Sequence, residues 1–384
     1  MARVNVIYHH FPHYRAPVMR ALVQQGENDY RFWGDVNDYS GIKAYKGDEV
    51  VKINPIKFDF DQSTGHMALR DYMPAVADRD ADAVIIIGNP NIRATWLMAL
   101  AARVRGKKCF FWAHGWLRPE PFPKNLLRNL YFRLSNGVMV YGERARELAQ
   151  RSGFPPDKVY VIYNSLDFET SLAAHNKATA ITREAAREEF DLPLDARVLV
   201  CIARIIPECR LDLLIEATHQ LSKDGQRYVV LLVGDGPERP SLEDMAKRMG
   251  IDARFTGAIY DEETVARIYR ASDVTVSPGK VGLTAIQSLT NGVPVITHGD
   301  FDNQMPEVEA VEPGQSGAFF ERDSAASLAE AIDGWFAQDR DADQVRADCQ
   351  RAILEKFNPQ AQVTLIDAAV NKVFGGKDGR RANI

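Results

Sequence analysis

A short run with two glycines, Gly279-Lys280-Val281-Gly282-Leu283-Thr284, stands between a β-branched segment (274–276) and an apolar-periodic segment (283–290) that stops at Asn291-Gly292. The spacing predicts a strand, a glycine-bearing turn, a helix and a second strand at 293–297. Such a turn presents free backbone N–H groups and the positive end of a helix dipole, the chemistry that holds a diphosphate. An ordinary βαβ crossover needs glycines for its turn alone, and on this stretch both readings stand.

Other residues of the same chemical kind occur at predicted strand ends. Arg204 follows the apolar run 197–202, and Arg210 opens the helical pattern 211–221. Two guanidiniums placed there could grip a diphosphate through forked hydrogen bonds, or form surface charge pairs. Gly234 lies in Val233-Gly-Asp-Gly-Pro-Glu238, between an apolar strand and a helix, where a structural turn is the simpler reading. His114 directly follows the apolar strand 108–113, so its imidazole is placed to bond a hydroxyl or a phosphate. His13 and Arg15 follow the first strand and are expected at the rim of an acceptor site. His9, His10 and His13 lack acidic or cysteine neighbours in the sequence, so no metal is expected there.

The elements that must position these groups alternate along the chain. Apolar runs at 4–8, 83–88, 108–113 and 159–163 are separated by helical patterns at 17–25, 95–103 and 144–151. After 169–190, rich in Ala, Thr, Glu, Arg and Asn, the same grammar restarts with strands at 197–202, 228–233, 254–256 and 274–276. Buried strands alternating with helices predict α/β architecture, with doubly wound parallel sheets that place ligands at the carboxyl ends of the strands. A length of 384 residues predicts two domains. We expect 1–168 as the first, 169–190 as a partly helical connection and 191–358 as the second. Two such domains facing each other would leave one cleft.

With 46% hydrophobic and 26% charged residues and a net charge of −5, the chain reads as a soluble globular protein without nucleic-acid partners. Cys109, Cys201, Cys209 and Cys349 show no paired spacing and fit a reducing cytoplasm. The start runs straight into a strand-like segment without a secretion-signal layout. Residues 124–134 are basic and amphipathic, the composition of a membrane-surface helix, although such faces mostly pack on their own domain. Packing on its own domain is the favoured reading of this segment in a cytoplasmic protein, with peripheral contact at the inner face of the plasma membrane as the alternative.

Taken together, the Arg204 loop, Leu211-Asp-Leu-Leu-Ile-Glu-Ala217, Val233-Gly-Asp-Gly-Pro-Glu-Arg239, the segment 277–294 and Gly314-Gln-Ser-Gly317 resemble the retaining GT-B glycosyltransferases of family four. The first half is similar more loosely, through His114-Gly115 and Asn164-Ser-Leu-Asp167. The resemblance implies two Rossmann-like domains facing a cleft, a nucleotide diphosphate sugar (GDP- or UDP-linked) on the second and a saccharide or lipid-linked acceptor on the first. It implies no obligatory cofactor or metal, and a final helix, about 359–384, that packs back on the first domain. It also implies that Arg204 and the turn stabilise the departing diphosphate, that His114 orients the sugar, and that position 287 holds the ribose.

Three positions depart from that pattern. The family carries glutamates at the positions occupied here by Gly279 and Gln287, and a phosphate-binding lysine where this chain has Cys209. Gln287 keeps hydrogen-bonding capacity without charge assistance. Arg210 or Lys280 would have to supply the missing cation. The expected activity is hexose or deoxyhexose transfer in bacterial surface-polysaccharide or lipopolysaccharide assembly. The alternatives are a catalytically weakened sugar-nucleotide- or glycan-binding partner of an active transferase and, further off, a sugar-nucleotide epimerase.

Overall fold

The computed structural model describes residues 1–375 except 40, 62, 223 and 224, and it divides into two compact units. The first comprises Met1–Asp167 with the helix Pro359–Gly375, and the second Phe168–Phe357. Residues 376–384, expected to continue the final helix and end in a loose tail, lie outside the described residues.

In the first unit the strands are β1 (Arg3–His10), β2 (Asp29–Asp35), β3 (Ile53–Pro55), β4 (Lys57–Asp61), β5 (His66–Arg70), β6 (Ala83–Ile87), β7 (Lys108–Trp112), β8 (Gly137–Val140) and β9 (Val159–Val161). Seven form a sheet of order β3-β2-β1-β6-β7-β8-β9, parallel throughout, while β4 and β5 make an antiparallel hairpin. In the second unit β10 (Arg197–Ile202), β11 (Tyr228–Val233), β12 (Ala253–Gly257), β13 (Val274–Ser277), β14 (Val295–His298) and β15 (Gly317–Phe320) form a parallel sheet of order β12-β11-β10-β13-β14-β15. Every residue of β6, β8, β11, β13 and β14 is buried, because a parallel sheet is covered by helices on both faces. Strand order reverses between β1 and β6 and again between β10 and β13. At such switch points the loops leaving two neighbouring strands diverge and open a crevice at their carboxyl ends.

The structure differs from the sequence reading in two instructive places. The stretch 169–190 is two helices, Phe168–Thr179 and Arg183–Glu189, belonging to the second unit rather than to a connection. Its alanines are contact residues: Ala174 and Ala178 pack on Ala266, and buried Ala186 joins the core under β10 and β11. Arg187 anchors this layer by donating to Asp273 Oδ2 at 2.8 Å and to the carbonyls of Ala271, Pro193 and Leu194. The strands β2, β3, β4, β5, β8 and β15 were not evident in the sequence. β2 alternates buried and half-buried residues around Asp29, Arg31 and Asp35, and β8 and β15 are only four residues long.

A buried carboxylate is one of the ties that hold the helix Pro359–Gly375 in the first unit, beside the Gln362 bonds to Ser165 and the Tyr163 carbonyl. Asp367, 4% exposed, accepts from the Glu27 backbone N–H at 2.8 Å, Asn28 Nδ2 at 2.7 Å and Tyr30 Oη at 2.7 Å. Replacement of Asp367 by alanine strands these donors away from water. We expect Asp367→Ala to destabilise the first unit by about 3 kcal/mol, and Asp367→Asn by less because it keeps an acceptor. Urea unfolding measures this, and a wild-type midpoint for Asp367→Ala would refute the assignment.

Candidate functional site

The second unit builds one site at the switch point between β10 and β13. Three glycines admit the loop 203–209. A Cβ at Gly234 would sit on the Ala203 carbonyl, one at Gly236 on that of Ile205, and one at Gly279 on that of Glu208. The contacts are knitted by hydrogen bonds from Ile205 N to Asp235 O (3.0 Å) and from Gly279 N to Cys209 O (3.0 Å). Thr284 Oγ1 donates to Ile202 O at 3.0 Å and fixes the start of the helix Leu283–Thr290 to the end of β10. At Gly282, the residue before that helix, an added Cβ would meet nothing within 4 Å. The first N–H groups of a helix have no intrahelical partner, and the open space beside Gly282 leaves room for an anion at this helix start.

The same geometry sorts the candidate donor-binding residues. Gly234 N–H is already given to Gly257 O at 2.9 Å, and Val281 N–H to Gln304 Oε1 at 2.8 Å, so neither is free for a phosphate. Arg210 is no loose cation. It chelates Asp212 (Nε–Oδ1 3.1 Å, Nη2–Oδ2 3.0 Å) and pairs with Asp323, and these carboxylates raise its pKa. Cys209 Sγ contacts Arg204 O at 3.1 Å, and burial pushes its thiol pKa up, so it remains a neutral loop contact. Arg204 and Lys280 are exposed and form no ion pair among the described residues. Gln287 is half-buried, its Oε1 3.5 Å from Tyr269 Oη. The sequence places Gln304 only within a cleft-wall segment, 302–307, and gives no sign of its bracing role: 6% exposed, its Nε2 reaches Thr297 Oγ1 (2.9 Å), His298 O (3.1 Å) and Gly279 O (3.4 Å). No local pattern announces it, since its partners lie up to 25 residues away.

The first unit carries a cavity of about 640 Å³ at its own switch point, walled by the loops after β1, β6 and β7. Arg15 and His114 line it, whereas His13 does not: the three-residue turn His13–Arg15 turns its ring outward, exposed and beside Tyr14. The Arg15 guanidinium lies over the rings of Trp112 (4.9 Å), Tyr8 (5.1 Å) and Tyr141 (5.4 Å) and donates to Tyr141 Oη. His114 sits 4.9 Å from the Tyr141 ring, with its open surface toward the cavity. Partial loss of solvation inside the cavity mouth, and then the charge of Arg15, lower its pKa, so it is neutral near pH 7. Burial lowers His9 to about 3 and lowers His10 too. Among the described residues no group of three or more metal-ligating side chains occurs. Within residues 124–134, the helix Phe122–Phe132 buries Tyr131 and Phe132 but leaves Phe122, Leu126, Leu127 and Leu130 exposed, so packing covers only part of its apolar surface.

Residues 182–353 match the family model described as glycosyl transferases group 1, and residues 43–170 match that of glycosyltransferase family 4. The D-inositol 3-phosphate glycosyltransferase of Corynebacterium efficiens is 30% identical over 165 residues, 40% of this chain and 38% of that protein. The alpha-D-kanosaminyltransferase of Streptomyces kanamyceticus is 25% identical over 171 residues, 43% of each chain. The matched stretch is thus less than half the length of either relative. In structure the chain is similar to Anabaena HepE in complex with UDP (TM-score 0.72, 15% identity, 97% of this chain and 100% of that one). It is also similar to the apo form of the lipopolysaccharide outer core galactosyltransferase WaaB (TM-score 0.68, 12% identity, 96% and 99%). The fold is of the GT-B class, with two parallel-sheet, Rossmann-like α/β domains.

Two predictions follow from the packing and the titrating groups. A side chain at 279 collides with backbone rather than with a movable side-chain tip. Gly279→Ala should cost about 1–3 kcal/mol, and Gly279→Glu should likewise lower the melting temperature, not restore a family-like site. An unchanged melting temperature for both would count against the clamp. For His9, the unfolded imidazole titrates near ~6.5, but the folded one only near 3. As pH falls below 6.5 the unfolded chain binds the proton first, so stability falls down to the folded value. His10 and His114 act in the same direction. Urea midpoints should drop between about pH 6.5 and 5, above the range where most carboxylates titrate. His9→Phe should flatten that slope without abolishing it.

Proposed function

We propose that this chain is a glycosyltransferase that moves a hexose or deoxyhexose from a GDP- or UDP-linked sugar to a hydroxyl of a saccharide or lipid-linked acceptor, with retention. The observation that carries the reading is the open helix start at Gly282, at a topological switch point, accompanied by the unpaired cations Arg204 and Lys280. Matches to two glycosyltransferase families, and a fold shared with a UDP-bound protein, support it.

In this reading the donor diphosphate lies against the N–H groups of Gly282, Leu283 and Thr284. Arg204 and Lys280 neutralise the charge that grows on it as the glycosidic bond breaks. Gln287 takes the ribose by hydrogen bonding. Gln304 keeps the turn in shape by occupying Val281 N–H and Gly279 O, which lowers the cost of ordering the turn when ligand binds. His114, neutral at pH 7, orients sugar hydroxyls. The acceptor occupies the cavity of the first unit. Exposed Phe122, Leu126, Leu127 and Leu130, with Lys124 and Arg128 on the same helix, suit peripheral contact with a membrane that holds a lipid-linked acceptor in surface-polysaccharide or lipopolysaccharide assembly. No helix among the described residues is long and apolar enough to cross a membrane.

A second reading rests on the backbone that fills the space beside Gly279, which leaves no room for a carboxylate there. It makes the chain a nucleotide-sugar-binding partner with little turnover. Calorimetry with UDP, GDP and their sugars, followed by transfer assays, separates the two. We expect one base to bind, Arg204→Ala to weaken it by about 10–100-fold, and Lys280→Ala to weaken it less. Arg210→Ala should have little direct effect on binding, since its charge is already paired. Binding without transfer to any acceptor favours the second reading. Absence of binding by every nucleotide defeats both.

A further inference from the structure

We propose that the cavity of the first unit recognises its acceptor through a phosphate group, with Arg15 as the anchor; the term acceptor rests on the transferase reading above. The cavity is lined by the cations Arg15, Lys124 and Arg128 and by no Asp or Glu. Lys124 and Arg128 share Glu120, at 2.9 Å and 3.6 Å, from outside the lining. Arg15 has no such counter-charge among the described residues. Its guanidinium is held by three aromatic faces and donates to Tyr141 Oη.

A guanidinium carries five N–H donors, and a half-buried one without a carboxylate is costly unless an anion arrives. Cation–π contact offsets part of that cost and holds the fork in place. Around it stand other polar groups without partners. Trp112 Nε1 and both ring nitrogens of His10 are buried with no hydrogen-bond partner, and both residues are 2% exposed and line the cavity. The charged groups of the wall are thus all cationic, with Trp112 Nε1 as a further donor and the neutral His10 ring as one donor and one acceptor. A neutral sugar hydroxyl gives a proton as readily as it takes one and leaves the charge of Arg15 uncompensated. A carboxylate brings two oxygens. A phosphate monoester or diphosphate brings three or more acceptor oxygens and matches the forked geometry.

Two sources share this chemistry: a free phosphorylated polyol or sugar, and the phosphate headgroup of a lipid-linked acceptor. The helix Phe122–Phe132 contributes Lys124, Leu127 and Arg128 to the wall and exposes Phe122, Leu126 and Leu130 beside it, so the second source is compatible with the rim.

The test uses the full chain and three small probes that differ only in the end group: glycerol 3-phosphate, glycerate and glycerol. We expect ligand-detected NMR or calorimetry to show glycerol 3-phosphate binding about tenfold or more tighter than either other probe, with an affinity that falls as salt rises. Arg15→Gln should abolish this preference. Trp112→Phe, which keeps the ring and removes the N–H, should weaken it several-fold. Nucleotide affinity should stay within twofold in both variants, which shows that they fold. Equal binding of glycerol and glycerol 3-phosphate, a preference for glycerate, or a preference that survives Arg15→Gln overturns the proposal. Flotation with phosphatidylcholine vesicles, with and without phosphatidic acid, separates the sources. Arg15-dependent capture only on the phosphatidic acid vesicles supports the headgroup, and binding of the soluble probe without capture supports the free phosphate. If the phosphate preference holds but no nucleotide binds, the transferase reading has failed and this one has not.

Discussion

The second unit depends on one packing constraint, the threading of the loop 203–209 between two glycine turns. Ala203 and Ile205 face Gly234 and Gly236 from the β11 side, and Glu208 faces Gly279 from the β13 side, each through a carbonyl oxygen where a side chain would stand. Backbone against backbone is the closest approach a chain can make, and it leaves little freedom to slide. The position of Arg204, the shape of the turn 279–282 and the direction of the helix Leu283–Thr290 therefore form one coupled set. Thr284 and Gln304 complete it by tying the helix start to β10 and the turn to β14.

This coupling explains what the sequence could and could not disclose. The strand-glycine-helix order and the apolar strands that frame it follow from periodicity, and a parallel sheet with carboxyl-edge loops is nearly forced by them. Gly279, Lys280 and Gly282 were legible as a turn. That Gly279 also receives a distant backbone was not, because its neighbour is Glu208, 71 positions away in the chain. Arg210 shows the same limit from the other side. Its proximity to Arg204 in sequence suggested a shared anion, but Asp212 and Asp323 had already claimed its charge. The alanine-rich stretch 169–190 resembled a connection because alanine gives no strong apolar signal, yet small side chains are what let the helix Phe168–Thr179 lie close on the helix Glu262–Ala271.

The first unit solves a different problem with aromatic faces. Its switch point lies between β1 and β6, and the loop after β1 brings Arg15 back under Tyr8. Buried carboxylates are used elsewhere in the unit, as Asp367 shows, so their absence from this wall is local and not a matter of composition. The neighbouring imidazoles of His9, His10 and His114 all have lowered pKa values and stay uncharged near neutrality. The cavity consequently holds its positive charge at Arg15 and on the Lys124 and Arg128 side, where it gives direction to any ligand that enters.

The three departures from the family pattern then acquire a common electrostatic sense. Gly279 and Gln287 remove two negative charges relative to that pattern, and Cys209 removes one positive charge, a net gain of one positive unit around the turn. A diphosphate bound there, as proposed, would meet no less attraction than in the family pattern, because the loss of a lysine is more than balanced by the loss of the carboxylates. What changes is the grip on neutral parts of a donor. In the transferase reading proposed above, backbone in place of a carboxylate at 279 and an amide at 287 would offer sugar and ribose hydroxyls uncharged partners, whose hydrogen bonds are about half as strong as charge-assisted ones. On that reading the turn would place most of its selectivity on the phosphate and least on the sugar, and the rigidity supplied by the loop 203–209 would be the main means of holding a donor in one orientation.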